Sequence, residues 1–263
     1  MRIHMRNYSL IIFAFLFSGC TTSGFDASAF DLRPPKFGDS DRVKFEGGSP
    51  KDYPVHGVDV SKYQGEINWP VLKSNGVSFA FIKATEGGDH DDESFKKNWN
   101  GAKRAGVPRA AYHFYYFCTS AIKQANWFIK NVPKDPTALP PVLDAEWNHL
   151  SKTCKKRPPA HRVRSEFRIF LKALERHYGK RPIIYTAPDF YEDNFKGSFK
   201  GYKFWLRSVI AHPKVRYNRR NWLFWQYTGT GRMAGVKGNI DINVFNGSMG
   251  AFNRWLKSVT SLR

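Results

Sequence analysis

Acidic residues are scarce in this chain: 22 Asp and Glu stand against 42 Lys and Arg, for a net charge of +20. Cysteine is scarcer, with three positions, and long hydrophobic runs are missing. The apolar run Leu10 to Phe17 (LIIFAFLF) has eight residues, too few to remain as a bilayer span. The eight histidines (His4, His56, His90, His113, His149, His161, His177, His212) include no pair at i,i+3 or i,i+4. No paired-cysteine motif accompanies them, so the common zinc-site spacings are missing, and neither a metal nor another cofactor is expected. No G-x-S-x-G occurs, which removes support for a Ser-His-Asp hydrolase. With so few acids, where they fall becomes informative.

The N-terminus reads as an export signal. Arg2 and Arg6 precede the apolar run, and Phe17-Ser18-Gly19-Cys20 resembles the lipobox at which bacterial lipoproteins are cut and acylated, although Phe17 is atypical there. The expected organisation is a lipoprotein-type signal over 1–19, a lipid-bearing Cys20 followed by a flexible Thr-, Ser-, Gly-, Asp- and Pro-rich tether to residue 52, and a folded domain over 53–263. A plain cleaved signal and a secreted product is the alternative. Thr21 and Thr22, in place of an acidic residue, favour the outer membrane over the inner, on the periplasmic side. Outside the cytoplasm, the polyanions that a +20 chain meets are cell-wall polymers and anionic lipid rather than nucleic acid. There Cys118 and Cys154 can form a disulfide or stay as two isolated thiols.

From residue 56, short β-rich runs alternate with helical ones, which argues for parallel βα units. Strands are expected at His56–Ser61, Ser78–Thr85, Arg109–Phe117, Pro141–Trp147, Pro182–Ala187, Lys203–Ile210, Leu223–Thr228 and Asn239–Phe245. The 3.6-residue spacing of Val163, Phe167, Phe170, Leu171, Leu174 and Tyr178 marks a helix stopped by Gly179. Others are expected over Glu93–Ala105 and Ser120–Val132. About eight strands and five to six helices make an α/β chain and a compact, incomplete barrel, expected to be a monomer.

Barrels of parallel strands work at the C-terminal ends of those strands. In Val142-Leu143-Asp144-Ala145-Glu146-Trp147, period-2 alternation sends Asp144 and Glu146 to one face, with Cα atoms about 6.6 Å apart. Repulsion and burial would keep one protonated near neutral pH, as glycoside hydrolysis requires of its acid and its carboxylate. A lone D-x-E is more often an exposed strand face. Asp59, opposite Val58 and Val60, and Asp241, opposite Ile240 and Ile242, add two further acid-bearing strands that a closed barrel can bring to the same pocket. Tyr112, Phe114, Trp147, Tyr185, Trp205, Trp225 and Tyr227 offer rings on which sugars stack, or core packing. Lys83 and Glu86, at another strand end, would orient substrate or acids, or form an ordinary ion pair.

Six ordered segments, His56-Gly57-Val58-Asp59-Val60-Ser61-Lys62-Tyr63-Gln64-Gly65, Phe81-Ile82-Lys83-Ala84-Thr85-Glu86-Gly87, Ala111-Tyr112-His113-Phe114, Leu143-Asp144-Ala145-Glu146, Trp225-Gln226-Tyr227 and Ile240-Asp241-Ile242-Asn243, together resemble the signatures of glycoside hydrolase family 25, the Chalaropsis-type lysozymes. The resemblance covers about residues 54–255. It implies an irregular, flattened TIM-like β/α barrel and hydrolysis of the β-1,4 bond between N-acetylmuramic acid and N-acetylglucosamine in peptidoglycan. It also implies Glu146 as general acid, Asp144 stabilising the reacting centre, and Asp59 and Asp241 positioning sugar and carboxyls. Tyr115-Tyr116-Phe117-Cys118, Trp205-Leu206-Arg207-Ser208 in place of the commoner Trp-x-Ala-x, and the basic insertion Leu150 to Pro159 depart from the pattern. Cys118 and Cys154 follow neighbouring strands, so a disulfide pinning the insertion is expected. A non-catalytic wall-binding protein on the same barrel is the competing reading, motivated by the charge and the aromatic groove.

Overall fold

The computed structural model describes residues 37–261. The signal, Cys20 and the first part of the expected tether lie outside them.

Eight strands close into a barrel in the order β2 (His56–Val60), β3 (Val77–Glu86), β5 (Arg109–Phe114), β6 (Val142–Ala145), β7 (Ile183–Thr186), β8 (Lys203–Arg207), β9 (Phe224–Met233) and β10 (Ile240–Phe245), the last pairing back to β2. All eight expected strands are present. Their pairings are parallel except around β10, which runs antiparallel to both β9 and β2. The expectation of parallel units therefore fails at this strand. Only the segment 234–239 connects β9 to β10, too little chain for the crossover a parallel strand needs.

Two short strands lie off the barrel: β1 (Phe37–Asp39) pairs with β9, and β4 (His90–Asp91) with β3. The described residues also include seven α-helices: α1 (Trp69–Ser74), α2 (Phe95–Arg104), α3 (Ala121–Asn131), α4 (Ala160–Tyr178), α5 (Pro188–Asn194), α6 (Pro213–Arg216) and α7 (Met249–Val259). The three expected helices are α2, α3 and α4; the short α1, α5 and α6 hold too few turns to show a period in sequence. Gly179, with φ +68°, ends α4 in the left-handed conformation that a side chain resists.

The apolar residues sort onto two faces. Val58, Val60, Ala80, Ile82, Leu143, Ile184 and Leu206 point outward against the helices, where α4 contributes Val163, Phe167, Phe170, Leu171 and Leu174, all fully buried. At about 1.5–3 kcal/mol each, those five side chains supply roughly 8–15 kcal/mol of gross burial before ordering costs. Phe79, Phe81, Val142, Ile183, Trp205, Phe224 and Phe245 fill the interior, and α7 adds Phe252 and Leu256 to the same cluster. Gly57 is small because its Cβ would lie 2.4 Å from the Phe79 ring. The interior is thus packed solid at one end, so only the other end can hold polar groups.

Residues 37–52 correct the tether boundary. Besides β1, Glu46 bridges Ala211, Phe45 packs edge-on against Trp225 at 5.3 Å, and Ser49 caps a short turn of 3-10 helix over Pro50–Asp52. Composition alone misled here: Phe45, one aromatic among polar residues, has a ready-made apolar surface to cover.

Candidate active site

The C-terminal ends of seven barrel strands and the N-terminal end of β10 share one rim. Antiparallel β10 brings Asp241, its second residue, to the register position facing Asp59 of β2. Asp144 sits in β6 between Phe114 and Tyr185 of the flanking strands, and Glu146 follows just past the strand on the same face. The four acids expected from sequence therefore converge on the interior.

Asp59 is the best satisfied of them. Gln226 Nε2 donates to both its oxygens, at 3.0 and 2.9 Å, and Asn243 Nδ2 donates to Oδ2 at 2.8 Å. The amide orientations are fixed from behind, because Trp205 Nε1, which can only donate, gives its proton to Asn243 Oδ1 at 2.7 Å. Tyr185 Oη likewise donates to Gln226 Oε1 at 2.9 Å. Burial and the facing Asp241 still push the Asp59 carboxyl well above the usual range, against the pull of Asn243 and Gln226. Asp241 is lifted to about 6 by burial, opposed by Arg207.

Asp144 is buried, and its Oδ1 has no hydrogen-bond partner among the described residues. Burial, then the charge of Glu146, push its carboxyl up, while Lys83 pulls it down. Glu146 is raised to about 7 by burial, with Arg207 pulling down and Asp189 pushing up. Two adjacent carboxyls both driven upward titrate as a unit. Of the two, Glu146 is the more open to the cleft.

Lys83 and Glu86 form a half-buried ion pair. Strict alternation would put residues three apart on opposite faces. The β3–β5 register slips between Lys83 and Thr85, leaving Ala84 as the extra residue of a bulge, so Lys83 pairs with Tyr112 and Glu86 with Phe114, both on the interior side. Tyr116 Oη donates to Glu86 Oε1 at 3.2 Å, and Lys83 Nζ lies 5.2 Å from the Phe114 ring centre.

Among the aromatic candidates, Tyr112 is half-buried within reach of the fields of Asp59, Asp144 and Asp241. Tyr185 and Trp205 face the interior but are only 6% and 2% exposed, and Trp205 stacks on Phe81 at 4.1 Å. They form the floor that orients the amides instead of a sugar platform. Trp225 and Tyr227 do not belong to the site. They point to the outer face, where Trp225 donates to Ser208 O and both rings pack under Phe45. Phe224 and Gln226 take the inward positions of that strand. Gln226, Asn243, Arg207 and Tyr116 are site residues that carried no assigned role in the sequence. Asn243 was traceable by alternation from Asp241.

Cys118, after β5, and Cys154, in the insertion after β6, form a disulfide with Cα atoms 5.8 Å apart. The insertion is thereby tied beside the strand that carries Asp144.

A closed β/α barrel with four carboxylates at the strand ends defines a glycosidase-type site. The family model for glycosyl hydrolases family 25 matches residues 58–236, and the chain belongs to that family. It is therefore a glycoside hydrolase of the lysozyme type. It is similar to lysozyme M1 of Streptomyces globisporus, 37% identical over 207 residues, covering 74% of this chain and 68% of the relative. The solved family 25 glycosyl hydrolase from Bacillus anthracis superposes with a TM-score of 0.73 at 38% identity, covering 81% of this chain and 98% of that one. The bacterial lysozyme of Streptomyces coelicolor gives 0.69 at 36% identity, covering 80% and 98%.

Proposed function

We propose that the protein is an N-acetylmuramidase that cuts the β-1,4 bond between N-acetylmuramic acid and N-acetylglucosamine in peptidoglycan, with Glu146 as general acid. The observation that carries this is the pair of carboxyls at the end of β6, both raised by burial and the more open of them lifted to about 7. A group titrating there is protonated often enough to donate and weak enough as a base to release its proton. Glu146 gives that proton to the glycosidic oxygen as the bond to the anomeric carbon breaks. Water then adds to that carbon and returns a proton to Glu146.

Asp144 faces the positive charge that develops at the sugar. Its unpartnered Oδ1 is suited to accept from the substrate's N-acetyl amide, which could itself assist at the anomeric carbon. Lys83, which pulls the Asp144 carboxyl down, favours its charged form. Asp59 and Asp241, held by Gln226 and Asn243, position the sugar and keep the field negative where charge must be stabilised.

Export supports peptidoglycan as the glycan. The signal of Arg2, Arg6 and Leu10 to Phe17 leads to Cys20 as the lipid site, and the Cys118–Cys154 bridge suits an oxidising compartment. The test is digestion of purified peptidoglycan, followed by analysis of reducing ends. Muramic acid reducing ends should appear with the native chain and vanish with Glu146→Gln. Normal turnover by that variant removes Glu146 from the mechanism, and binding without released fragments turns the reading into that of a wall-binding protein.

A further inference from the structure

The interior face of the cleft carries two cations. Lys83 is taken by Glu86. Arg207 is not: among the described residues, no carboxylate lies within ion-pair distance of its guanidinium, and its side chain has no hydrogen-bond partner, although it feels the fields of Glu146, Asp241 and Asp59. It is the last residue of β8, on the inward face with Trp205, half-buried, and in register with Gln226. It stands where the commoner pattern noted above has a small residue. β8 is two strands from β6, about 10 Å around the barrel. A sugar whose anomeric carbon meets Glu146 would span that gap with its own width.

We propose that Arg207 is a specificity-determining residue that binds the lactyl carboxylate of muramic acid, so that the enzyme prefers glycan already stripped of its stem peptides. The inference rests on the muramidase reading. Muramic acid differs from its neighbour in the strand by a lactyl ether at C3. When a stem peptide is attached, that group is an uncharged amide; when the peptide is gone, it is a carboxylate. A guanidinium offers a planar fork of donors that matches a carboxylate two bonds at a time and has no comparable match for an amide. Held apart from the acids of the site, Arg207 leaves them available for catalysis and keeps its own donors for the substrate. The reaction that supplies this substrate is then hydrolysis of the amide between the lactyl group and the peptide, and this enzyme acts after it.

The test uses three versions of one glycan tetrasaccharide: lactyl groups free, capped as neutral methylamides, and bearing a dipeptide. Wild type, Arg207→Ala and Arg207→Lys are compared by kcat/KM across pH, with folding checked by thermal melting. The expected result is a wild-type preference for the free acid. Arg207→Ala should lose about 10- to 100-fold on it and less than about 3-fold on the methylamide, with Arg207→Lys between. Equal losses on all three glycans, accompanied by a shifted pH profile, would make Arg207 a modulator of the acids and overturn the proposal. So would a loss as large on the dipeptide glycan as on the free acid. Failure of the wild type to cut any of the three sinks the muramidase reading instead. Affinity in the Glu146→Gln background, measured by calorimetry on the free and capped glycans, reads the recognition without turnover: a Kd ratio near one overturns the proposal by itself.

Discussion

Replacing Glu146 by Gln should make the protein more stable while abolishing its activity, and the size of the gain can be worked from the site. In the unfolded chain the carboxyl titrates near 4.5; in the cleft burial lifts it to about 7. The folded state therefore binds the proton more tightly, so stability tied to this group is fully present below about pH 4.5 and is lost as pH rises through about 7. At about 1.36 kcal/mol per pH unit, the charged form costs the fold on the order of 3 kcal/mol above neutrality. Gln keeps the shape without the charge, and also removes the charge that pushes Asp144 up. Expected in calorimetric melts is a gain of roughly 6–12 °C in Tm at pH 8. At pH 4 the two proteins should melt together. A gain that is the same at both pH values would point to packing, and no gain at pH 8 would refute the idea that the carboxyl is held in a hostile environment.

The same values set the pH profile of the native enzyme. In the proposed mechanism Glu146 acts protonated, so kcat/KM should fall as pH rises through about 7, and Asp241 acts ionised, so it should fall as pH drops through about 6, leaving a narrow maximum in buffered turnover assays. Replacing both Cys118 and Cys154 by Ser opens a loop with a sequence separation of 36 residues, which the chain-entropy relation puts at about 4 kcal/mol, readable as a lowered denaturant midpoint. Tyr63, 81% exposed directly after β2, is the aromatic at the rim that is free to stack on a sugar, and Tyr63→Ala should raise KM about 5- to 10-fold with kcat held. Trp225→Phe should leave KM unchanged and lower Tm, since that ring serves the outer face; a raised KM would return it to the cleft.

What the sequence made legible were features with a period and a marker. Asp144 and Glu146 could be placed on one face because alternation has no other solution in so short a strand, and α4 because five large apolar residues repeat along it. The inward face of β9 was not legible: in Phe224-Trp225-Gln226-Tyr227 both faces are aromatic, and only closure of the barrel decides that Gln226 enters the site. Lys83 and Glu86 were recognised as a pair without a reason for facing the same way, since a bulge is a property of two strands and cannot be read from one. The antiparallel entry of β10 was hidden likewise, because direction depends on the length of the connection and not on the strand.

The short strand β1 bears on a matter unrelated to catalysis. It lies along Gly231 to Met233, the part of β9 that runs on past its barrel neighbour β8, and Thr230 ties to it through Asp39 at 2.6 Å. Without it, that stretch would present unsatisfied backbone groups along an open edge, a template on which a second molecule could add a strand. With it, the new edge is three residues long, ends in Asp39 and is followed by Asp41 and Arg42, charges that discourage further pairing. A chain begun after β1 would keep every acid of the cleft and yet leave that edge uncovered. What composition presented as a mere spacer thus covers an otherwise open stretch of sheet edge.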